Sequence, residues 1–494
     1  MRISNQRIGT IVTALVLFAA LQKFLIAQTE SSTPNSSERL FQIRFEQISE
    51  TFSAAPEQDA LALIELVVEN HWMPPVRQEM IWKGVQFAYQ FSGLVPVAST
   101  VEEVPGSEDP KELSEFLQRQ KKRWLSDPDL VEEAKEIGFE KLFATGIVES
   151  IPGGAELIAV KQVKINESLA ANRYVGVGIQ LSMQDRPLVT KVFYGGSGRK
   201  AGMQDGDMIL EIDGLSTEGQ SIAKVVERLR GPEGSKVKMK LQQPGAEPRT
   251  IDVVRSVTFI PTVLGWGAND KGEQQFFFPN DQSIAYLRIE RIGPSTVHEL
   301  KQAEKILRKN KLKCVLLDLR NGGGRLHDAI LVGDLFLDEG ILGYTQYRDR
   351  KTEHVSLPGK LFPDIPTVAL IGPKMGADRV LLAAAFQDSG EITLAGTAAN
   401  KPAYVRKQFS LPSGAAVIFP VGILRRGSGD MLCVPKVAAT LPSPQASALK
   451  PDHLWSPITT QQSRNPEELR QTLWPALLKT ILAEQQKSKH DERS

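Results

Sequence analysis

Chemistry in this chain is expected at a corner. Residues 365–390, IPTVALIGPKMGADRVLLAAAFQDSG, hold an apolar run from Thr367 to Ile371, a Gly372-Pro373 break, and a second apolar run from Val380 to Phe386. The pattern predicts a covered strand, a tight turn and a helix buried on most sides. Such a corner presents one side chain beside the free N–H groups of a helix start, which suits a hydroxyl nucleophile facing an oxyanion. Yet no Ser, Thr or Cys stands between Gly372 and Asp388, and an alanine methyl can neither attack a carbonyl nor be activated by a base.

The hydroxyls nearby do not replace it. Ser389 follows Gln387-Asp388, Ser410 and Ser413 fall in the next hairpin, and Ser428 lies in RRGSGD; each reads as a turn or cap residue, because none stands at a strand-to-helix corner beside a base. GxSxG, HExxH and CxxC are absent, and His327 reads as a packing or solvent residue. With six scattered histidines and only two cysteines, Cys314 and Cys433, neither a metal, a cofactor nor a disulfide framework is expected.

The elements that must position the corner begin at Ser283. SIAYLRIERI predicts a strand, Thr296 with Glu299 predicts a capping box opening the helix TVHELKQAEKILRKN, and KCVLLDLR predicts a buried strand. NGGGR is a glycine turn, LHDAILVGDLFLDEG a helix, and Thr393–Ala395 a further strand. Strands separated by helices argue for parallel pairing with crossovers.

Residues 174–256 differ in character. YVGVGIQL and PLVTKVF predict strands, AGMQDGDMILEIDG a turn-rich passage into a third, and SIAKVVERLR a helix with Ile222, Val225, Val226 and Leu229 on one face. The Gly176–Ile179 stretch fails as a phosphate loop, since the third glycine of GxGxxG is missing. Residues 38–160 carry apolar residues at helical spacing in LFQIRFEQISETF, DALALIELVVENHW and ELSEFLQRQKKRWL, with Trp72, Trp82 and Trp124 as core or helix-contact residues. Residues 465–487 predict a C-terminal helix, begun by Asn465-Pro466 and kinked at Pro475.

At the other end, Arg2 and Arg7 precede an apolar run from Ile8 to Leu21, resumed at Phe24–Ala27. Residues 1–27 are an export signal or an uncleaved membrane anchor, shorter in uninterrupted core than the roughly 20 residues of a spanning helix. The chain of 494 residues has 59 basic against 58 acidic side chains, a balance that implies no nucleic-acid partner. The expectation is an exported or periplasmic envelope protein that touches the membrane only through its N-terminal segment.

AGMQDGDMILEIDG and its neighbouring strand and helix resemble the PDZ domain of bacterial C-terminal (tail-specific) processing peptidases, and DLRNGGGRLHDAILVGDLFLDEG resembles that family's DLRNNPGG-type segment. The resemblance runs from about Tyr174 to Pro457, ending at LKPDHLWSP. It implies a multidomain α/β protein: a helical N-terminal region, a PDZ-like domain at 174–256 and a crotonase-like peptidase domain at 283–457. It also implies β-augmentation, with Gly176, Val177, Gly178 and Ile179 as loop and strand start, and Ile222, Val226 and Leu229 lining the pocket for the last side chain.

Carried over residue by residue, the family's serine falls on Ala377, its second serine on Arg379 and its glutamate on Val380. Its lysine falls on Pro402 and its glutamine on Arg406. Gly322, Gly323 and Gly324 match the turn that helps to hold the oxyanion. Lys401 is the only adjacent amine; burial can render a lysine neutral, whereas a guanidinium stays protonated. Loss of nucleophile or base alone costs a serine protease about a million-fold in turnover. The sequence therefore favours a non-catalytic binder of C-terminal or extended peptides from exported, unfolded proteins, acting as adaptor or regulator of an active paralogous peptidase. The alternative is a serine-type endopeptidase using Lys401 and another hydroxyl.

Overall fold

The computed structural model describes residues 56–94, 104–163 and 173–432, apart from 107, 161, 184, 194–195, 270–272, 279–280, 398 and 400–401, together with 166–167, 446–447 and 453–454. The expected N-terminal segment at 1–27, the C-terminal helix at 465–487, Cys433 and Lys401 lie outside the described residues. The chain divides into two units, one of residues 1–163 with 406–421, the other of 164–405 with 422–494.

The first unit is helical, as its apolar spacing predicts: α1 Pro56–Asn70, α2 Arg77–Phe91, α3 Pro110–Leu125, α4 Glu132–Ile137 and α5 Phe139–Ser150. Asp109 caps α3 by accepting the Lys111 N–H, with Pro110 at the first helical position. Trp124 and Tyr89 are buried in its core, and the Trp124 indole donates to Ser92 Oγ at 2.8 Å, so the aromatic's polar end is satisfied. Strand β1, Glu156–Ile158, pairs antiparallel with Ala416–Ile418. That return of residues 406–421 was not legible in the helical pattern.

The second unit holds two layered parts. In the first, β2 (Arg173–Gly176), β3 (Ile179–Met183), β4 (Pro187–Val192), β5 (Met208–Ile212), α6 (Ile222–Leu229), β6 (Lys236–Gln242), β7 (Arg249–Val254) and β8 (Ser256–Phe259) follow in order. The sheet runs β3-β4-β5-β6-β7, and β2 pairs separately with β8. Ser221 caps α6, whose Val225 and Leu229 are buried against the sheet. Buried Arg255 donates to the Arg228 and Leu229 carbonyls, satisfying the helix's last acceptors before Gly231-Pro232.

The second part is built on β9 (Val263–Leu264), β10 (Phe277–Phe278), β11 (Asp281–Ile289), α7 (Thr296–Leu307), β12 (Cys314–Asp318), β13 (Asn321–Gly322) and α8 (Leu326–Phe336). It continues through β14 (Gly340–Tyr347), β15 (Lys351–Ser356), β16 (Thr367–Ile371), β17 (Lys374–Met375), α9 (Ala377–Ser389), β18 (Ile392–Gly396) and His453–Leu454. The sheet order β9-β11-β12-β16-β18, closed by His453–Leu454, is parallel from β11 onward, as the alternating pattern required. Every residue of β12 and β16 is buried, which explains their unbroken apolar runs.

The capping box expected at α7 does not form. Ser295 occupies the cap position, and Thr296 Oγ1 accepts the Gly293 N–H at 2.9 Å. Glu299 instead accepts the backbone N–H groups of Thr262 and Val263 at 2.8 and 2.9 Å. The antiparallel edge strand β9 brings two donors within reach, and a carboxylate bound by both gains more than one reaching back along its own helix.

Candidate functional site

The corner is built as its spacing predicts. Buried β16 ends at Ile371, Gly372-Pro373 turns the chain, and β17 pairs in parallel with β13, Asn321 opposite Lys374 and Gly322 opposite Met375. The Gly376 N–H donates to the Gly322 carbonyl at 2.8 Å, tying the corner to the glycine bend. Helix α9 begins at half-buried Ala377, and from Asp378 to Phe386 every residue is buried.

Two ionisable side chains of the first turn of α9, Asp378 and Arg379, pack against the glycine bend. Asp378 Oδ1 lies 3.2 Å from the place a Cβ on Gly323 would take, and the bend's Gly324 N–H is among the groups bonded to its carboxyl. Burial pushes the Asp378 carboxyl up from the ordinary aspartate range, against the pull of the Arg379 charge and of backbone N–H groups. Its Oδ2 has no hydrogen-bond partner among the described residues. Arg379 is fully buried, donates from Nη1 to the Leu319 carbonyl at 3.3 Å, and packs its guanidinium against Gly322. Asp378, Asp318 and Glu290 supply its countercharge.

The bend is anchored at its start by Asp318 at the end of β12. That carboxylate accepts from Arg320 Nε and Nη2 at 2.9 and 2.6 Å and from the Tyr286 hydroxyl at 2.8 Å. Burial would raise its pKa, but the hydrogen bonds and charge of Arg320 outweigh it and hold the carboxyl below the usual range. Gly322 takes φ +87°, a conformation that favours glycine. At Gly324 a methyl would run into the Ile292 carbonyl.

The two remaining carried-over positions each have local partners of their own. Pro402 is half-buried ahead of Ala403, whose N–H donates to the Leu432 carbonyl and whose carbonyl accepts from Leu424. Arg406 belongs to the helical unit, where its Nη2 donates to the Gly153 carbonyl at 2.6 Å. Ser389 Oγ donates to the Phe386 carbonyl at the end of α9, Ser428 Oγ to Asp430, and Ser413 Oγ accepts the Ala415 N–H, so these three serve turns and helix ends. His327 is exposed. Asp378 was missed in the sequence, where the available signal was a carboxylate in the first turn of the helix that follows the Gly372-Pro373 break.

A second concavity lies between β3 and α6. It measures about 250 Å³, and its walls include Gly176, Val177, Ile179, Ile222, Val226 and Leu229, all singled out in the sequence, together with Tyr174 and Arg230, which were not. Gly178 belongs to the same turn with φ +76°. Strand β3 has β4 on one side only among the described residues, leaving one edge open beside the apolar helix face. An open edge next to an apolar trough is the arrangement for accepting an extended peptide as an added strand.

A parallel sheet with a glycine bend facing a strand-to-helix corner, joined to a small β-domain with an edge groove, defines a PDZ-bearing peptidase architecture. Residues 283–437 match peptidase family S41 and residues 188–243 match the PDZ domain, so the chain carries a peptidase family S41 domain together with a PDZ domain. Its relatives include the carboxyl-terminal-processing protease of Picosynechococcus, 29% identical over 251 residues that cover 50% of this chain and 58% of that protein. The carboxy-terminal processing protease CtpA of Bacillus subtilis is 25% identical over 306 residues, 60% of this chain and 63% of that one. The matched stretches thus span less than two thirds of either relative. Among solved structures, a photosystem II D1 C-terminal processing protease matches 82% of this chain and 94% of its own at 19% identity and a TM-score of 0.40.

Proposed function

We propose that this protein captures C-terminal or extended segments of other polypeptides in its PDZ groove and that its S41 domain does not cut them. The observation that carries the second half is the α9 corner, where a methyl stands at Ala377 and the buried Asp378 carboxyl faces the glycine bend. An oxyanion stabilised there would meet a carboxyl already bonded to the bend's Gly324 N–H, and among the residues of the corner none carries a hydroxyl to generate it. Pro402 offers no amine where a lysine base would be needed, and Arg406 could not act as a base. The clients are unfolded or tail-exposed exported proteins, and the role is that of adaptor or regulator beside an active relative. The second reading, a working serine-type endopeptidase that uses Lys401 and another hydroxyl, is favoured by the similarity to named processing proteases.

Incubation with an unfolded protein bearing an apolar C-terminus separates the two. No cleavage is expected; cleavage that survives repurification and disappears in Lys401→Ala establishes the second reading. For the groove, labelled peptides with free C-termini are expected to bind the wild type and not Val226→Asp. Failure of any such peptide to bind, or indifference to Val226→Asp, removes peptide capture.

A further inference from the structure

The open edge of β3 is already engaged by a side chain of the protein itself. Along β3 the carbonyls alternate in direction. The Gly178 carbonyl accepts the Phe193 N–H at 2.9 Å, and the Gln180 carbonyl accepts the Thr190 hydroxyl at 3.2 Å, both from the β4 side. The Ile179 carbonyl between them therefore points to the open edge, where an added strand would find its first acceptor. The Tyr174 hydroxyl donates to this carbonyl, at 3.4 Å.

Tyr174 is held in that position from three directions. Strand β2 pairs with β8, Tyr174 opposite Thr258, so its backbone is anchored. Its ring lies over Gly176, where a Cβ would come within 2.8 Å of it, so only glycine leaves room for the ring to fold across the turn. The Arg230 guanidinium stacks on the ring, 5.6 Å from its centroid. Tyr174, Arg230 and Ile179 all line the 250 Å³ groove.

We infer that Tyr174 is an internal competitor for the PDZ groove, its hydroxyl standing in for the backbone N–H with which an incoming peptide would engage the Ile179 carbonyl. A peptide adding to β3 displaces the phenol from that acceptor and turns the ring and the Arg230 stacked on it away from the turn. Displacing a neutral hydrogen bond lowers the apparent affinity, so weakly matched segments are rejected while a tail that also fills the Val226–Leu229 face is accepted. The inference rests on the peptide-capture reading and adds to it a residue that sets the threshold for binding.

The test uses the full chain and a fluorescein-labelled decapeptide with a free, apolar C-terminus. Tyr174→Phe keeps the ring and removes the donor; it is expected to bind roughly two- to tenfold more tightly than the wild type, the worth of one neutral hydrogen bond. Thr190→Val removes the hydroxyl on the β4 side of the same strand and is expected to leave the affinity unchanged. Circular dichroism and a thermal melt establish that each variant is folded. Binding by the wild type with no gain, or a loss, in Tyr174→Phe overturns the inference while leaving peptide capture standing. An equal gain in Thr190→Val also overturns it, since the effect would then be general loosening of β3. Absence of binding in wild type and variant alike overturns the peptide-capture reading and the inference with it.

Discussion

Asp378 Oδ1 and Gly323 meet so closely that a Cβ on the glycine would stand 3.2 Å from the carboxyl oxygen. The bend and the first turn of α9 are therefore one packed unit, with the fully buried guanidinium of Arg379 beside them. Removing the Asp378 carboxyl leaves the buried guanidinium with Asp318 and Glu290 alone as countercharge. Asp378→Ala is expected to cost about 3–5 kcal/mol in urea unfolding, whereas Asp378→Ala combined with Arg379→Leu is expected to cost far less, because an apolar pair needs no countercharge.

Ala377→Ser places a hydroxyl at the first position of α9 without supplying a base. Hydrolysis of an unfolded, fluorescently quenched protein is expected to stay at the wild-type background, within the scatter of replicate time courses. A rise that responds to a serine-directed covalent inhibitor would show that a base is present after all.

Tyr286→Phe deletes the hydroxyl that donates to Asp318 at 2.8 Å while leaving both Arg320 contacts in place. A hydrogen bond to a charged group is worth about 1.5–3 kcal/mol. A loss of that size in chemical denaturation is expected, with no change in peptide binding to the PDZ groove.

Glu299→Ala strands the Thr262 and Val263 N–H groups, which now share its carboxylate. Each stranded donor costs about 1–3 kcal/mol if it stays dry. Glu299→Gln keeps an acceptor oxygen and is expected to lose less than half as much. Hydrogen exchange at Thr262 and Val263, faster in the alanine variant, locates the damage.

His71 makes the helical unit sensitive to acid. The Met73 N–H donates to its Nδ1 at 3.1 Å, so Nε2 carries the proton and donates to the Pro152 carbonyl at 2.9 Å. Burial lowers its pKa from the ordinary 6.5, outweighing the two backbone bonds. The unfolded chain then binds more protons than the folded one; stability is fully present above pH 6.5 and is lost as the pH falls toward the folded value. The midpoint of thermal unfolding is expected to drop between pH 7.5 and 5.5 by more in the wild type than in His71→Gln.

Much of the fold was legible because its elements are locally overdetermined. The apolar runs Cys314–Asp318 and Thr367–Ile371 are buried residue by residue, so neither needed polar alternation to be recognised as a strand. Gly390 takes φ +69° and ends α9 where the helical pattern stops. Ile222, Val226 and Leu229 line the groove because a helical repeat alone puts them on one stripe. The short strands Val263–Leu264 and Phe277–Phe278, which pair with β11, were not legible, since they carry too few residues for a period to show.

By itself the sequence determined that a methyl stands at the corner, at 377, and that an imino ring and a guanidinium stand at 402 and 406, the other two positions countable from fixed neighbours. It also determined the apolar stripe of α6, since periodicity is a property of the chain. Only the tertiary structure decided that Asp378 faces Gly323, that Glu299 serves a strand 36 and 37 residues away, and that Tyr174 lies across the Ile179 carbonyl. Each of those contacts joins groups whose meeting depends on strand register and packing, and a buried polar group takes whichever partner that packing brings within hydrogen-bonding distance.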